Sequence, residues 1–328
     1  MYKVIIAITT FNLENYISQA LDSVLMQETN FEFKIIVGDD CSSDKTQDIL
    51  KEYKQKYPNK IDVLFSSKNM GSLANSNRLL DKIDSEYFCF LDGDDYWIDN
   101  KRLQRQVDFM DSHKEYSMCG GDTQFLRNGE LAETMLDKKM LGRTLSFNNL
   151  VNGEMPVIIH TSTILFRNII FKDGLPPCFK EAVGTKEECA LRGEDFRRIL
   201  HLERGPIYVE NEVLSVYRIH DKGIWQGKTP LRRYLEIAVT FNFYYKYFGD
   251  KYGDYFFKLH QRTYNSLMVY LIANKLLIEY NKLSPDDGSM LAFLISDLSS
   301  RNKDNKNYKS KKLRYYFWSV VSKIFHAL

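Results

Sequence analysis

Residues 3–10 form an apolar, β-branched run ending in Thr9-Thr10, the pattern of a buried strand. Residues 13–27 place Leu13, Ile17, Ala20, Leu21, Val24 and Leu25 at helical spacing. The alternation continues: a strand is predicted over 33–38, a helix over 45–57, a strand over 61–66 and a helix over 72–83. A fourth strand is predicted at 87–91, Tyr-Phe-Cys-Phe-Leu, apolar throughout and so expected to be buried on both faces. Ser42, Ser43 and Asp44 are N-cap candidates for the second helix, and Asp99 and Asn100 for a further helix at 101–112. Strands alternating with helices at this spacing predict an α/β fold of βαβ units around a mostly parallel central sheet flanked by helices.

Past residue 115 the pattern changes. Asn128-Gly129 suits a type I′ hairpin turn. Further strands are predicted at 162–166 and 207–218, with a helix at 194–204 between them. From about 230 the chain is helical and rich in Tyr and Phe, predicting a helical C-terminal extension whose aromatic side chains form a core or an oligomer or acceptor surface. The polar stretch 299–312 reads as a linker. In the last residues Leu313, Tyr316, Phe317, Val320, Val321, Ile324, Phe325 and Leu328 fall on one helical face beside Lys309, Lys311, Lys312 and Arg314. A basic amphipathic helix over 313–328 is a candidate for a membrane surface or for docking on the core. The expected organisation is 1–225 as one domain, with halves 1–115 and 116–225, and 226–328 as a helical region.

Composition narrows the class. The 328 residues carry a net charge of +2, too little to imply nucleic-acid binding. Five cysteines, Cys41, Cys89, Cys119, Cys178 and Cys189, are odd in number, widely spaced and lack a C-x-x-C pair. That excludes a disulfide framework or zinc knuckle as the organising feature and suits a reducing cytoplasm. The N-terminal apolar run is too short for a signal peptide. The expected location is cytoplasmic, with attachment to the inner face of the membrane through 309–328 as the further candidate.

In a parallel sheet, ligands bind beyond the carboxyl ends of the strands. The residues there are Thr9-Thr10-Phe11-Asn12, Asp39-Asp40, Ser66-Ser67-Lys68-Asn69 and Asp92-Gly93-Asp94-Asp95. Three carboxylates within four residues repel one another, so one must protonate or a cation must bind. All-oxygen ligands suit Mg²⁺ or Mn²⁺. A solvated turn with a helix cap is the competing reading. Asp39-Asp40 at a neighbouring strand end could accept hydrogen bonds from a nucleobase.

These segments, in order, resemble the family 2 glycosyltransferases of the GT-A fold. The resemblance rests on Thr9-Thr10-Phe11-Asn12 with Ala20–Gln27, on Val37–Asp44, on Asn69-Met70-Gly71 through Asn77, and on Phe90–Trp97. It is strong over residues 1–115 and weaker to about 225. Gly38 and Cys41 depart from the family's pattern, as do Asn75 and Ser76.

The resemblance implies a nucleotide site built from Thr9, Phe11, Asn12, Asp40, Asn69, Asp92 and Asp94. Phe11 would stack on the base and Asp40 would accept from uracil N3–H. Asp94, Asp95 and, through the Tyr217-Arg218-Ile219-His220 element, His220 would hold Mn²⁺ or Mg²⁺. Gly193-Glu194-Asp195 resembles the family's base-supplying element, with Asp195 favoured over Glu194 as the catalytic base. The implied function is an inverting, metal-dependent transfer of a sugar from a nucleotide-sugar, UDP-linked by resemblance, to a hydroxyl of a glycan or lipid-linked acceptor in bacterial cell-surface polysaccharide synthesis. A homo-oligomer is compatible with it. The alternatives are a non-catalytic glycan-binding scaffold, or a sugar-phosphate nucleotidyltransferase, which wants an Arg-containing Gly-rich loop where this chain has Phe11-Asn12-Leu13-Glu14.

Overall fold

The computed structural model describes residues 2–154, 159–221, 223–252, 254–276 and 279–304. The chain forms two compact units, Met1–Gln226 and Gly227–Leu328.

The first unit begins β1 (Val4–Thr10), α1 (Ile17–Leu25), β2 (Phe33–Asp39), α2 (Thr46–Lys56), β3 (Ile61–Phe65), α3 (Ser72–Leu80) and β4 (Tyr87–Asp92). It continues with β5 (Tyr96–Trp97), α4 (Arg102–Ser112), β6 (Met118–Arg127), β7 (Glu130–Thr134), β8 (Arg143–Leu145) and α5 (Phe147–Val151). Then come β9 (Leu165–Arg167), α6 (Pro177–Glu181), α7 (Glu188–Leu191), α8 (Glu194–Leu202) and β10 (Ile207–Ile219).

One sheet runs in the order β3-β2-β1-β4-β9-β6-β10-β5, with β7 on β6 and β8 on β10. The first four strands are parallel. β9 then runs antiparallel to both β4 and β6, while β10 is parallel to β6. The predicted parallel sheet thus covers the first half, and the second half is mixed.

The parallel strands are apolar because helices cover them. Val4, Ile6, Ile8, Ile35, Val37, Cys89 and Leu91 are buried against Ile17, Leu21, Val24 and Leu50 from α1 and α2. Register sets the functional edge: Thr9 pairs with Gly38 on one side and Asp92 on the other, and Thr10 with Asp39. Polar residues that end separate strands in sequence therefore stand level at one edge. The Asn128-Gly129 hairpin forms as predicted, both residues having positive φ.

Two boundaries differ from expectation. Helix α1 starts at Ile17 rather than 13, because the Leu13 and Glu14 N–H groups donate to Thr46 Oγ1 and Asp44 Oδ2 across the loop. The strand expected at 162–166 is a 3₁₀ turn at Thr161–Thr163 followed by β9. There the Ser162 and Thr163 carbonyls accept from Arg102, Trp97 and Gln106 instead of a ladder partner.

The second unit contains α9 (Pro230–Tyr252), α10 (Asp254–Ala273) and α11 (Pro285–Asp304). Phe248 of α9 stacks on Phe256 of α10 at 5.0 Å. Buried Glu236 is paired with Lys228 at 2.6 Å and Arg232 at 3.0 Å. Residues 299–304 of the expected linker are helical, in α11; the rest of it, and the amphipathic segment 313–328, lie outside the described residues. Among the described residues no helix is long and apolar enough to cross a membrane.

Candidate active site

The edge that gathers Thr9, Asp39 and Asp92 is extended by the loops that follow each strand. Gly93 allows the Asp92–Asp95 loop to turn tightly. A Cβ on Gly93 would lie 2.9 Å from the Thr9 carbonyl, which itself accepts from the Gly93 N–H at 2.9 Å.

Asp92 receives the Thr9 hydroxyl at 3.0 Å. Solvent reaches its carboxylate, but the surrounding protein mass, and then the charges of Asp94 and Glu194, push its pKa up to about 7 against the Thr9 bond. Glu194 begins α8, so the base candidates of α8 lie within electrostatic reach of the end of β4. Asp195, next to it, is half-buried; burial pushes its pKa up to about 6, with the Arg198 charge acting the other way and Glu194 adding to the rise.

Asp94 and His220 meet: His220 Nε2 lies 3.0 Å from Asp94 Oδ2. β5 pairs with β10 through Trp97–Ser215 and Tyr96–Val216, which lays the aspartate loop beside Tyr217-Arg218. Tyr16 packs against the His220 ring at 5.1 Å. Asp95 points elsewhere. It is 1% exposed, its Oδ1 accepts the Arg218 N–H at 2.9 Å, and its Oδ2 lies 3.7 Å from His160 Nε2. Burial, then Asp94 and Asp92, raise its pKa well above the usual carboxylate range. Arg218 braces the loop through its Nε on the Asp94 carbonyl at 2.9 Å and its Nη2 on Gln19 at 2.7 Å.

Of the residues expected to take a divalent ion, Asp94 and His220 are therefore together and Asp95 is directed behind them. No group of three or more His, Cys, Asp or Glu able to hold a metal occurs among the described residues. The Asp94 carboxylate suits a hard divalent ion that takes its remaining ligands from phosphate and water, and a neutral His220 imidazole beside it suits a first-row transition ion better than Mg²⁺.

At the nucleotide end, Phe11 is 45% exposed at the tip of β1. Asn12 holds φ +54° and stitches two loops, its N–H donating to Ser42 Oγ at 2.9 Å and its Oδ1 accepting the Ser43 N–H at 2.7 Å. Asp40 accepts the Met70 N–H at 2.7 Å and the Gly71 N–H at 2.9 Å, one on each oxygen. Asn69 Oδ1 accepts from the same Gly71 N–H at 3.1 Å. Asp40 and Asn69 thus shape the loop before α3 together.

His160 is the contributor that sequence reasoning missed. Its Nδ1 is 2.6 Å from Ser162 Oγ, its ring lies 4.6 Å from Tyr217, and burial lowers its pKa against the pull of Glu194 and Asp94. A His before a Thr-Ser-Thr run was the available signal; its nearness to Asp95 comes only from the fold.

Comparison with known proteins agrees with this architecture. Residues 5–172 match the family described as glycosyl transferase family 2. Uncharacterized proteins of Mycobacterium tuberculosis and Mycobacterium bovis are 28% identical over 224 residues, 68% of this chain and 61% of theirs. The chain thus spans about 61% of the length of these curated relatives. The TarS structure from Staphylococcus aureus in complex with UDP-GlcNAc aligns with a TM-score of 0.63 at 19% identity, covering 99% of this chain and 88% of that one. A mannosyltransferase from Pyrobaculum calidifontis in complex with GDP-Man and Mn²⁺ aligns with a TM-score of 0.52 at 15% identity, over 99% and 87% of the two chains. The fold is the GT-A fold, and the chain belongs to glycosyl transferase family 2.

Proposed function

We propose that this chain is an inverting, metal-dependent glycosyltransferase that moves a sugar from a UDP-sugar to a hydroxyl of a glycan or lipid-linked acceptor in cell-surface polysaccharide synthesis. One observation carries the reading: Asp94 and His220 lie 3.0 Å apart beside the strand edge that sets Thr9, Asp39 and Asp92 level, and Glu194 of the Glu194-Asp195 element is near enough for its charge to raise the Asp92 pKa. A site with carboxylates on both sides can receive a charged donor on one and activate an acceptor on the other. The TarS structure, determined with UDP-GlcNAc, supports UDP as the carrier.

In this reading Phe11 stacks on the base, and Asp40 and Asn69 hold the loop that encloses it. Thr9 orients Asp92 toward the ribose. Asp94 and His220 hold Mn²⁺ or Mg²⁺, as the Mn²⁺ in the Pyrobaculum mannosyltransferase suggests, with Asp95 supporting the loop from behind. When bound, the ion neutralises charge on the departing diphosphate. Asp195 takes the proton of the acceptor hydroxyl as that oxygen bonds to the anomeric carbon from the face opposite the nucleotide, and the configuration inverts. A positioned base contributes about 10²–10⁴-fold in rate. The basic amphipathic segment 309–328 suits attachment to an anionic membrane surface, tested by flotation with vesicles of the chain with and without residues 305–328.

The test is turnover of a panel of nucleotide-sugars with and without Mn²⁺. The reading expects Mn²⁺-dependent consumption of a UDP-sugar that Asp94→Ala removes and Asp195→Asn lowers. Absence of turnover with every donor, or turnover indifferent to Asp94→Ala, contradicts it.

A further inference from the structure

The Asp195 carboxylate is held from within its own helix. Arg198, one turn further along α8, donates from Nη2 to Asp195 Oδ1 at 2.5 Å. The Arg198 side chain is 1% exposed and that of Asp195 is 31% exposed. The contact is single-pronged. Among the described residues Arg198 Nε and Nη1 are buried without a hydrogen-bond partner, so the guanidinium does not use the two-pronged geometry that a purely structural Arg–carboxylate pair favours. Asp195 Oδ2 has no hydrogen bond among the described residues. One oxygen is anchored, and the other is left on the exposed side.

The charges acting on Asp195 are those of Arg198, Glu194 and Arg197, all on α8. Arg197 lies over the Phe90 ring, 4.3 Å from its centroid, so Arg198 is the cation in direct contact. The Glu194 charge also acts on Asp92, raising its pKa.

We propose that Arg198 is the positioning residue of the catalytic base: it fixes the Asp195 rotamer through Oδ1, keeps the carboxylate ionised in a half-buried place, and leaves Oδ2 for the acceptor proton. The inference rests on the reading of Asp195 as the base. The proton passes from the acceptor oxygen to Asp195 Oδ2 as that oxygen bonds to the anomeric carbon. The C–O bond to the diphosphate breaks with its electron pair on the diphosphate, and Arg198 keeps its own protons. Geometric misplacement of a base is costly, and an adjacent cation lowers a carboxylate's pKa.

The experiment measures kcat, donor KM and the pH dependence of kcat/KM for the full chain and for Arg198→Gln, Arg198→Lys and Asp195→Asn, with UDP binding and thermal melting as controls on folding. Arg198→Gln should lower kcat about 10- to 100-fold, leave donor KM unchanged within about twofold, and move the acid limb of kcat/KM up by about one pH unit. Arg198→Lys should return the limb towards its original position. A folded Arg198→Gln protein whose limb stays in place overturns the proposal. If Arg198→Gln does not fold, Arg198→Lys decides: a kcat at least about threefold lower at unchanged donor KM supports it, and an unchanged kcat overturns it. Full activity in Asp195→Asn would instead remove the reading of Asp195 as the base.

Discussion

Asn75 occupies the space that a side chain at residue 38 would need. A Cβ on Gly38 would lie 2.7 Å from Asn75 Oδ1, while Asn75 Nδ2 donates to the Gly38 carbonyl at 2.7 Å and Oδ1 accepts from Arg78 Nη2 at 2.7 Å. The two departures from the family pattern in this region are thus fitted to each other, one strand end against one helix. Gly38→Ala should destabilise the protein by about 1–3 kcal/mol through overpacking. Combining it with Asn75→Ala should cost less than the sum of the single changes by about 1 kcal/mol. Urea unfolding of the two single variants and the double variant checks this; strict additivity contradicts the fit.

Cys41 stands at φ +65°, the left-handed region that a side chain with a Cβ enters at a cost of roughly 1–2 kcal/mol. Cys41→Gly should therefore raise stability by about 0.5–1 kcal/mol after the added freedom of the unfolded chain is counted. Cys41→Val should lower it by more than that, because a β-branched residue tolerates the region worst. Thermal melts of both variants give the comparison, and a Val variant as stable as the parent would refute the account.

Arg102 is fully buried, and burial lowers its pKa. Its guanidinium lies 4.0 Å over the Trp97 ring and donates to the Ser162 and Thr163 carbonyls at 2.5 and 3.1 Å. Trp97 Nε1 donates to the same Ser162 carbonyl at 2.8 Å. This lock ties the strand after the aspartate loop to the segment that carries His160. Arg102→Met should remove the charged donor from both carbonyls, leaving Ser162 to Trp97 and Thr163 to Gln106 alone, and cost about 2–4 kcal/mol. A melting temperature within a degree of the parent would show that the lock is dispensable.

Asp195 has a pKa raised to about 6. As the proposed general base Asp195 works deprotonated, so kcat/KM should rise with pH through about 6 and level off above it. The sign is that of an acid whose ionisation is opposed by burial. Activity is lost as pH falls, not as it rises. In Asp195→Asn that limb should vanish along with about 10²–10⁴-fold of the rate. An unchanged limb in the variant would assign it to another group.

The parallel half of the fold was legible in the chain because period and composition agree there: each apolar run is followed by a helical pattern, and each strand ends in polar residues. The gathering of Thr9, Asp39 and Asp92 at one edge followed from the same fact, since strand ends at one level need no further information. Tertiary contacts decided what could not be read. Asp95 follows Asp94 directly, yet its Oδ1 is taken by the Arg218 N–H while Asp94 pairs with His220. The strand expected at 162–166 yields to a turn because Arg102 and Trp97, distant in sequence, claim its carbonyls. Arg198 reads as an ordinary helix residue until its burial against Asp195 is known.

The central claim is that Asp94 and His220 join a divalent ion to a nucleoside diphosphate. Calorimetric titration of UDP in the presence and absence of Mn²⁺, into the parent and into Asp94→Ala, tests it most directly. The account predicts that Mn²⁺ tightens UDP binding to the parent by tenfold or more, about 1.4 kcal/mol, and that Asp94→Ala abolishes this gain. UDP affinity that ignores Mn²⁺, or a gain that survives Asp94→Ala, would contradict it.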